Sequence, residues 1–180
     1  MEKKSVLIIL HPEFEEIEAV TPIDLLRRAG FQVITASTSD SHSVISRGLI
    51  TLRADSLLSD QCSKDFDALV IPGGPGIVKI RSDEQLKSMI EKQYAQKKII
   101  ACICAAPLLL LDLGYNEHIP MTCHPSVAHN FKNYQSISTF KQETFITSRG
   151  AGTAVEFSLS IIEALADSAT AERIAKEIAL

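Results

Sequence analysis

The sequence predicts an α/β fold: an open, mostly parallel sheet with helices on both faces, giving three layers. Three observations carry this. Short unbroken apolar runs recur along the chain, as in SVLIIL, DALVI and KIIACI, the pattern of strands buried on both faces. Amphipathic segments of helical length lie between them. Turn signals such as Pro72-Gly73-Gly74-Pro75-Gly76 close the strands. No repeat, low-complexity tract or long linker interrupts the alternation, so residues 1–180 are expected to form one domain.

Each element follows from its own pattern. Ser5–Leu10 is a fully covered strand. Glu15–Ala29 is a helix with Ile17, Val20, Ile23, Leu25 and Leu26 at helical spacing. Acidic residues open it, two arginines end it and Gly30 stops it. Pro22 inside this helix predicts a kink or a tightened first half. Phe31–Ala36 is the second strand, and Val44–Leu52 a small hairpin turning at Arg47-Gly48. Asp67–Ile71 is the next buried strand, broken by the PGGPG run. Ser82–Gln96 is a helix burying Leu86, Met89, Ile90 and Tyr94. Lys98–Ile103 is a strand, Ala106–Leu113 a short helix and Glu143–Thr147 a late strand. Val155–Ala166 and Ala169–Ile178 close the chain as core-facing helices.

Composition narrows the function. Hydrophobic residues make up 46% and charged residues 22% of the 180 positions, as expected for a folded globular chain. A net charge of −4 with scattered Lys and Arg gives no basic footprint for nucleic acid. No stretch approaches the roughly 20 apolar residues that span a bilayer. The opening MEKKSVLIILHPEFEE has two lysines and an apolar run, but acidic residues follow where a cleavage site would stand. The expected address is therefore the cytoplasm. Cys62, Cys102, Cys104 and Cys123 are expected to be free thiols there.

In open α/β sheets, ligand sites lie beyond the carboxyl ends of the strands. Three segments fall there: HPEFEE, PGGPG and Cys104-Ala105-Ala106. Strand alternation puts Cys102 and Cys104 on one face. Cys102, inside the run, reads as a small buried hydrophobe. Cys104 stands where the strand must turn sharply into a helix, the geometry of a nucleophile elbow. Unpaired amides there favour a thiolate. From residue types alone, two inert core cysteines and one reactive thiol are about equally compatible with the pattern. The glycines of PGGPG allow backbone amides to approach a ligand, and the Ala105 amide is placed to complete an oxyanion hole. Their spacing matches neither a dinucleotide fingerprint nor a P-loop. Cys123-His124 beside Cys102 and Cys104 fits no metal-binding spacing.

The ordered set EEIEAVTPIDLLRRAG, VIPGGPG, ACICAAP, CHP and TSRGAGTAVEF resembles the ThiJ/PfpI superfamily. The similarity is greatest to the branch holding the parkinsonism-associated protein deglycase and bacterial YajL, and runs from the first strand nearly to the end. The resemblance implies a flavodoxin-like sandwich, usually homodimeric, with a reactive cysteine on the elbow and no cofactor or metal. It assigns that cysteine to Cys104, the glutamate that hydrogen-bonds its sulfur to Glu18, and a histidine near the pocket to His124. Gly73, Gly74 and Ala105 match positions whose backbone lines the anion-binding side. Gly150 and Gly152 match the turn packed beside the site. By the same analogy Arg28 and Arg47 reach toward a neighbouring subunit's pocket. A carboxylate and a thiolate repel one another in one pocket, so the pair is expected to hold one proton, neutral Glu18 donating to the sulfur anion.

The departures from that family pattern also inform. Ala105 stands where protease-type members carry histidine, which argues against a peptidase. The only His-x-Glu triplet, His11-Pro12-Glu13, precedes Cys104, so the order of a glutamine amidotransferase fails. His11-Pro12 replaces smaller residues and is expected to reshape the pocket mouth. Ile45 replaces a cysteine found in many relatives, removing a redox position near the dimer contact. Two functions are implied. One is a glutathione-independent glyoxalase and deglycase acting on methylglyoxal-type α-oxoaldehydes and early glycation adducts. The other is an oxidant-sensing thiol coupled to holdase chaperone activity, without turnover. An acid/base residue beside an oxyanion site exceeds what a sensor needs, which favours the enzyme.

Overall fold

A computed structural model describes residues 3–180; Met1 and Glu2, the start of the leader-like opening, lie outside the described residues. The first strand, β1 (Ser5–Leu10), is followed by α1 (Glu16–Arg28) and β2 (Gln32–Ser37). A two-stranded antiparallel hairpin, β3 (Ser43–Ile45) and β4 (Thr51–Arg53), comes next. The short strand β5 (Ser56–Leu57) precedes β6 (Ala68–Ile71), α2 (Ile77–Ile80) and α3 (Glu84–Ala95). The chain continues with β7 (Ile99–Ile103), α4 (Pro107–Asp112), β8 (Thr139–Gln142), β9 (Phe145–Ser148), α5 (Ala154–Leu165) and α6 (Ser168–Glu177).

Seven strands form one sheet in the order β5-β2-β1-β6-β7-β9-β8. All neighbours are parallel except β8, which runs antiparallel to β9. The fold is the flavodoxin-like α/β sandwich. Leu25, Leu26, Phe157, Ile161 and Ile174, from α1, α5 and α6, pack with Val6, Ile8, Val70 and Ile103 on one face. Ile77, Leu86, Ile90 and Leu109, from α2, α3 and α4, pack with Leu7, Ile9, Ile71 and Cys102 on the other. This two-sided burial is why β1, β6 and β7 read as continuous apolar runs.

Local chemistry sets several boundaries. The Asp83 side chain caps α3 by accepting from the Gln85 and Leu86 amides at 3.0 and 3.1 Å. Gly30 ends α1 with φ of +88°, a conformation glycine adopts without a Cβ clash. Pro22 is buried within α1, which stays continuous from Glu16 to Arg28. The missing proline N–H leaves the Glu18 carbonyl without its usual helical donor.

Two expectations need correction. Ile17 and Val20, expected to face the core, are 53% and 45% exposed, and the buried positions of α1 are Glu18, Ala19, Pro22, Leu25 and Leu26. The helix therefore presents a carboxylate inward and two aliphatic side chains outward. The second concerns the face shared by Cys102 and Cys104. Cys102 packs with the α3–α4 layer, whereas Cys104 packs with Ile103 toward α1 and α5. Alternation fails because Cys104 has left the strand.

Candidate active site

Cys104 is the first residue after β7 and has φ of +65°. A side chain in this left-handed region costs about 1–2 kcal/mol, so the surroundings must hold it. Its amide donates to the Ser148 carbonyl at 2.9 Å, and its carbonyl accepts from the His124 amide at 2.8 Å. Ser148 ends β9 and His124 begins the segment before a 3₁₀ turn, so two neighbouring elements clamp the elbow. On the third side stands Gly73. A Cβ there would lie 2.7 Å from the Cys104 Cβ, 2.8 Å from the Ile103 carbonyl and 2.9 Å from the Ala105 nitrogen. Only a glycine lets the loop after β6 approach the elbow this closely.

That approach brings amides to the sulfur. The N–H groups of Gly74 and Ala105 face Cys104 and favour its anion. Gly74 reaches this position with φ of +109°, packed against the Glu13 carbonyl and the Glu15 nitrogen.

Glu18 enters from α1. It is 1% exposed, and its Oε2 accepts from the Gly73 amide at 2.8 Å while Oε1 is buried without a hydrogen-bond partner. Burial pushes its carboxyl up to about 7, against the opposing pull of the Gly73 amide and the Cys104 thiol. The thiol is pushed up to about 12, first by burial and then by the charge of Glu18. The thiol is therefore hard to ionise beside a Glu18 carboxylate, contrary to a simple low-pKa cysteine. A proton on Glu18 removes that repulsion and leaves the Gly74 and Ala105 amides to favour the sulfur anion.

His124 is exposed, at the rim of the site. Its Nδ1 accepts from the Ser126 amide at 3.2 Å, which places the neutral ring's proton on Nε2. The His124 ring and Glu18 Oε1 both flank Gly150, at 3.4 and 3.8 Å from where a Cβ would stand. A cleft of about 410 Å³ opens there, lined by His124, Pro125, Arg149, Gly150, Ala151 and Thr153 among others. A larger groove of about 610 Å³ runs between α5 and α6, and neither Cys104 nor Glu18 lines either space; the smaller one adjoins the site through His124 and Gly150. The sequence offered no signal for Arg149 beyond its place in the turn before α5.

The other cysteines stand apart. All four are free thiols. Cys102 and Cys123 are fully buried in the apolar layer, and burial raises both thiols, Cys123 to about 12. Cys123 points inward while His124 is exposed, so neighbours in sequence do not converge as ligands. Cys62 is half-buried, and its thiol faces the Leu58 carbonyl at 3.3 Å. His11 is fully buried beneath the site, so it is a wall of the interior and not the mouth. Arg47 pairs with Glu15 at 2.9 Å. Arg28 pairs with Asp24 at 3.0 Å, one turn back along α1.

An elbow cysteine, an inward glutamate from α1 and the Gly73-Gly74 loop thus meet at one end of the sheet. Residues 4–164 match the model of the DJ-1/PfpI family. The chain belongs to that family. As a DJ-1/PfpI protein it is 34% identical over 178 residues to Drosophila melanogaster protein dj-1beta, covering 96% of this chain and 95% of that protein. It is 36% identical over 168 residues to the Caenorhabditis elegans glutathione-independent glyoxalase DJR-1.2, covering 91% and 89%. The structure of oxidized Toxoplasma gondii DJ-1 superposes with a TM-score of 0.94 at 34% identity, covering 97% of each chain.

Proposed function

We propose that this DJ-1/PfpI protein, working as one domain, is a cysteine-dependent, glutathione-independent glyoxalase and deglycase. Its substrates are methylglyoxal-type α-oxoaldehydes and early glycation adducts. The observation that carries this reading is Glu18: a carboxyl held near pH 7, sharing the Gly73–Gly74 loop with the Cys104 sulfur. A group titrating near neutrality can both take and return a proton.

In this mechanism the Cys104 thiolate adds to the aldehyde carbon, and the new oxyanion takes the proton held by Glu18, giving a hemithioacetal and leaving Glu18 as the carboxylate. Glu18 removes the proton from that carbon, forming an enediolate. Glu18 then returns the proton to the adjacent carbon while the hydroxyl proton passes to the neighbouring oxygen, giving the lactoyl thioester. Water hydrolyses the thioester to lactate and restores the thiol. The Gly74 and Ala105 amides stabilise the oxyanions, and His124 Nε2–H serves the same purpose from the rim. Deglycation uses the same thiol on a hemiaminal carbon. The Caenorhabditis elegans relative named as a glutathione-independent glyoxalase supports the substrate class.

The protein acts as a homodimer in this reading. Ile17 and Val20 of α1 and Ile45, Leu49 and Ile50 of the hairpin are 45–83% exposed. The hairpin is tied to α1 through Glu16, which accepts from the Ser46 hydroxyl and the Gly48 amide. Such a connected aliphatic patch beside a site is what a second copy would cover. Among the described residues no helix is long and apolar enough to cross a membrane, and four free thiols suit a reducing cytoplasm.

A sensing role has one observation in its favour. Glu18 Oε1 has no partner, and a protonated oxygen there could donate to a sulfinate on Cys104. Lactate formation from methylglyoxal without glutathione separates the two. Sustained turnover lost in Cys104→Ala and kept in Cys102→Ala supports the enzyme. No turnover by the fully reduced protein refutes it and leaves the thiol sensor.

A further inference from the structure

His11 has no part in the chemistry above, yet it touches the peptide that organises it. The residue begins the turn out of β1 and is fully buried. Its Nε2 lies 3.2 Å from the Pro72 carbonyl oxygen, and its Nδ1 lies 3.0 Å from the Pro12 carbonyl oxygen. The Pro72 carbonyl belongs to the same peptide unit as the Gly73 N–H, which donates to Glu18 Oε2 at 2.8 Å. One planar amide thus joins a buried imidazole to the buried carboxylate.

That amide needs an anchor. Gly73 has no Cβ to resist rotation about its own φ. A turned peptide would present the Pro72 carbonyl oxygen to Glu18 in place of the N–H. On the far side of Gly73 the next peptide is fixed, because the Gly73 carbonyl accepts from the Glu15 amide at 3.0 Å. On the near side the Pro72 carbonyl has His11 as its side-chain partner. The imidazole is itself held tightly: a Cβ on Gly76 would lie 2.7 Å from Nδ1 and overlap the Pro12 carbonyl.

We propose that His11 is a positioning residue: in its Nε2–H form it fixes and polarises the Pro72–Gly73 peptide, so that the Gly73 amide holds Glu18 and sets where that carboxyl titrates. Burial lowers the His11 pKa, against the pull of the carbonyls it faces and of Glu13. A neutral ring has one proton for two carbonyls, and the relay requires it on Nε2. The charges that face the pair are few. Glu18 feels Cys104, Glu15 and Arg47; His11 feels Glu13, which is itself paired with Lys79 at 2.9 Å.

The test uses the geometry of two amides. A glutamine places its NH₂ near the position of imidazole Nε2, an asparagine near Nδ1. His11→Gln should keep the donor to Pro72, while His11→Asn keeps only the donor to Pro12. The readouts on the full chain are the ring ¹⁵N shifts of His11 and the ¹³C carboxyl titration of Glu18. The pH profile of kcat/KM for methylglyoxal is the third readout. Wild type should show a protonated Nε2. Glu18 in His11→Asn and His11→Ala should titrate about one pH unit higher, with the limb of the rate profile moving alike, and His11→Gln should titrate as wild type. Equal behaviour of the Asn and Gln variants would overturn the relay, as would a wild-type proton on Nδ1. If neither variant folds, the wild-type ring shifts still decide. Only the rate readout rests on the proposed reaction. Absent turnover with an intact Glu18 difference would sink the glyoxalase and keep the relay.

Discussion

Replacing Glu18 by glutamine tests the burial of the carboxyl through stability alone, without any assumption about substrate. The carboxyl is 1% exposed, and its pKa is raised from an ordinary 4.5 to about 7. Each pH unit between folded and unfolded values is worth about 1.4 kcal/mol, so the whole rise corresponds to roughly 3 kcal/mol. The sign follows from proton binding. Below pH 4.5 both states hold the proton and the group costs nothing. Between 4.5 and 7 the unfolded chain has released it while the folded chain has not, so stability falls as pH rises. Above 7 the folded carboxylate carries the full cost. Glu18→Gln never ionises, and its amide can still accept from the Gly73 N–H. The variant should therefore gain on wild type by roughly 3 kcal/mol between pH 4 and pH 8, or about 6–12 °C in Tm for a chain of this length. Thermal melts at pH 4, 5, 6, 7 and 8 would measure it, repeated in a Cys104→Ser background to remove the thiol's titration. A gap between the two proteins that stays flat with pH, or opens toward acid, would refute the reasoning.

Three further outcomes follow from the packing. Gly73→Ala forces a methyl within 3 Å of Cys104 Cβ, the Ile103 carbonyl and the Ala105 nitrogen. It should cost about 1–3 kcal/mol in urea melts and slow iodoacetamide labelling of Cys104 about 10-fold or more. Asp67, whose carboxyl burial would raise, is instead brought down to about 2 by the Ser5 amide, Lys98 and Lys4. Its stabilisation is full above the ordinary carboxylate value and is lost as pH falls toward 2. Asp67→Asn should cost about 1–2 kcal/mol at pH 7, after allowance for solvent screening, and little at pH 2. Leu49→Glu with Ile50→Lys places charge on the exposed hairpin tip. Analytical ultracentrifugation should find wild type as a dimer and this variant as a monomer; a wild-type monomer would refute the dimer.

Strands buried on both faces were legible because an unbroken apolar run needs cover on every side, and a run of strand length gets it between two helical layers. β1, β6 and β7 stand where SVLIIL, DALVI and KIIACI placed them, within a residue or two. β8 was missed because Thr139–Gln142 is an edge strand, half-exposed and polar, with no run to read. The orientation of α1 was misread for the opposite reason. Hydrophobic spacing placed Ile17 and Val20 inward, but Glu18 takes the inward direction, where the Gly73 amide waits for it. No local pattern distinguishes Glu18 from Glu15 or Glu16; only the ordered motifs did. Cys104 was legible as the strand's last cysteine, while its left-handed backbone, which moves it to the other face from Cys102, depends on contacts with Ser148, His124 and Gly73 that are distant in sequence.

The backbone of Cys104 sets stability and reactivity against each other. A left-handed φ of +65° suits glycine and burdens every other side chain. A library ranked by resistance to heating would therefore reward Cys104→Gly, the substitution that deletes the thiol. Any campaign to harden this scaffold has to hold position 104 fixed, or it will drift toward sturdier proteins that no longer react.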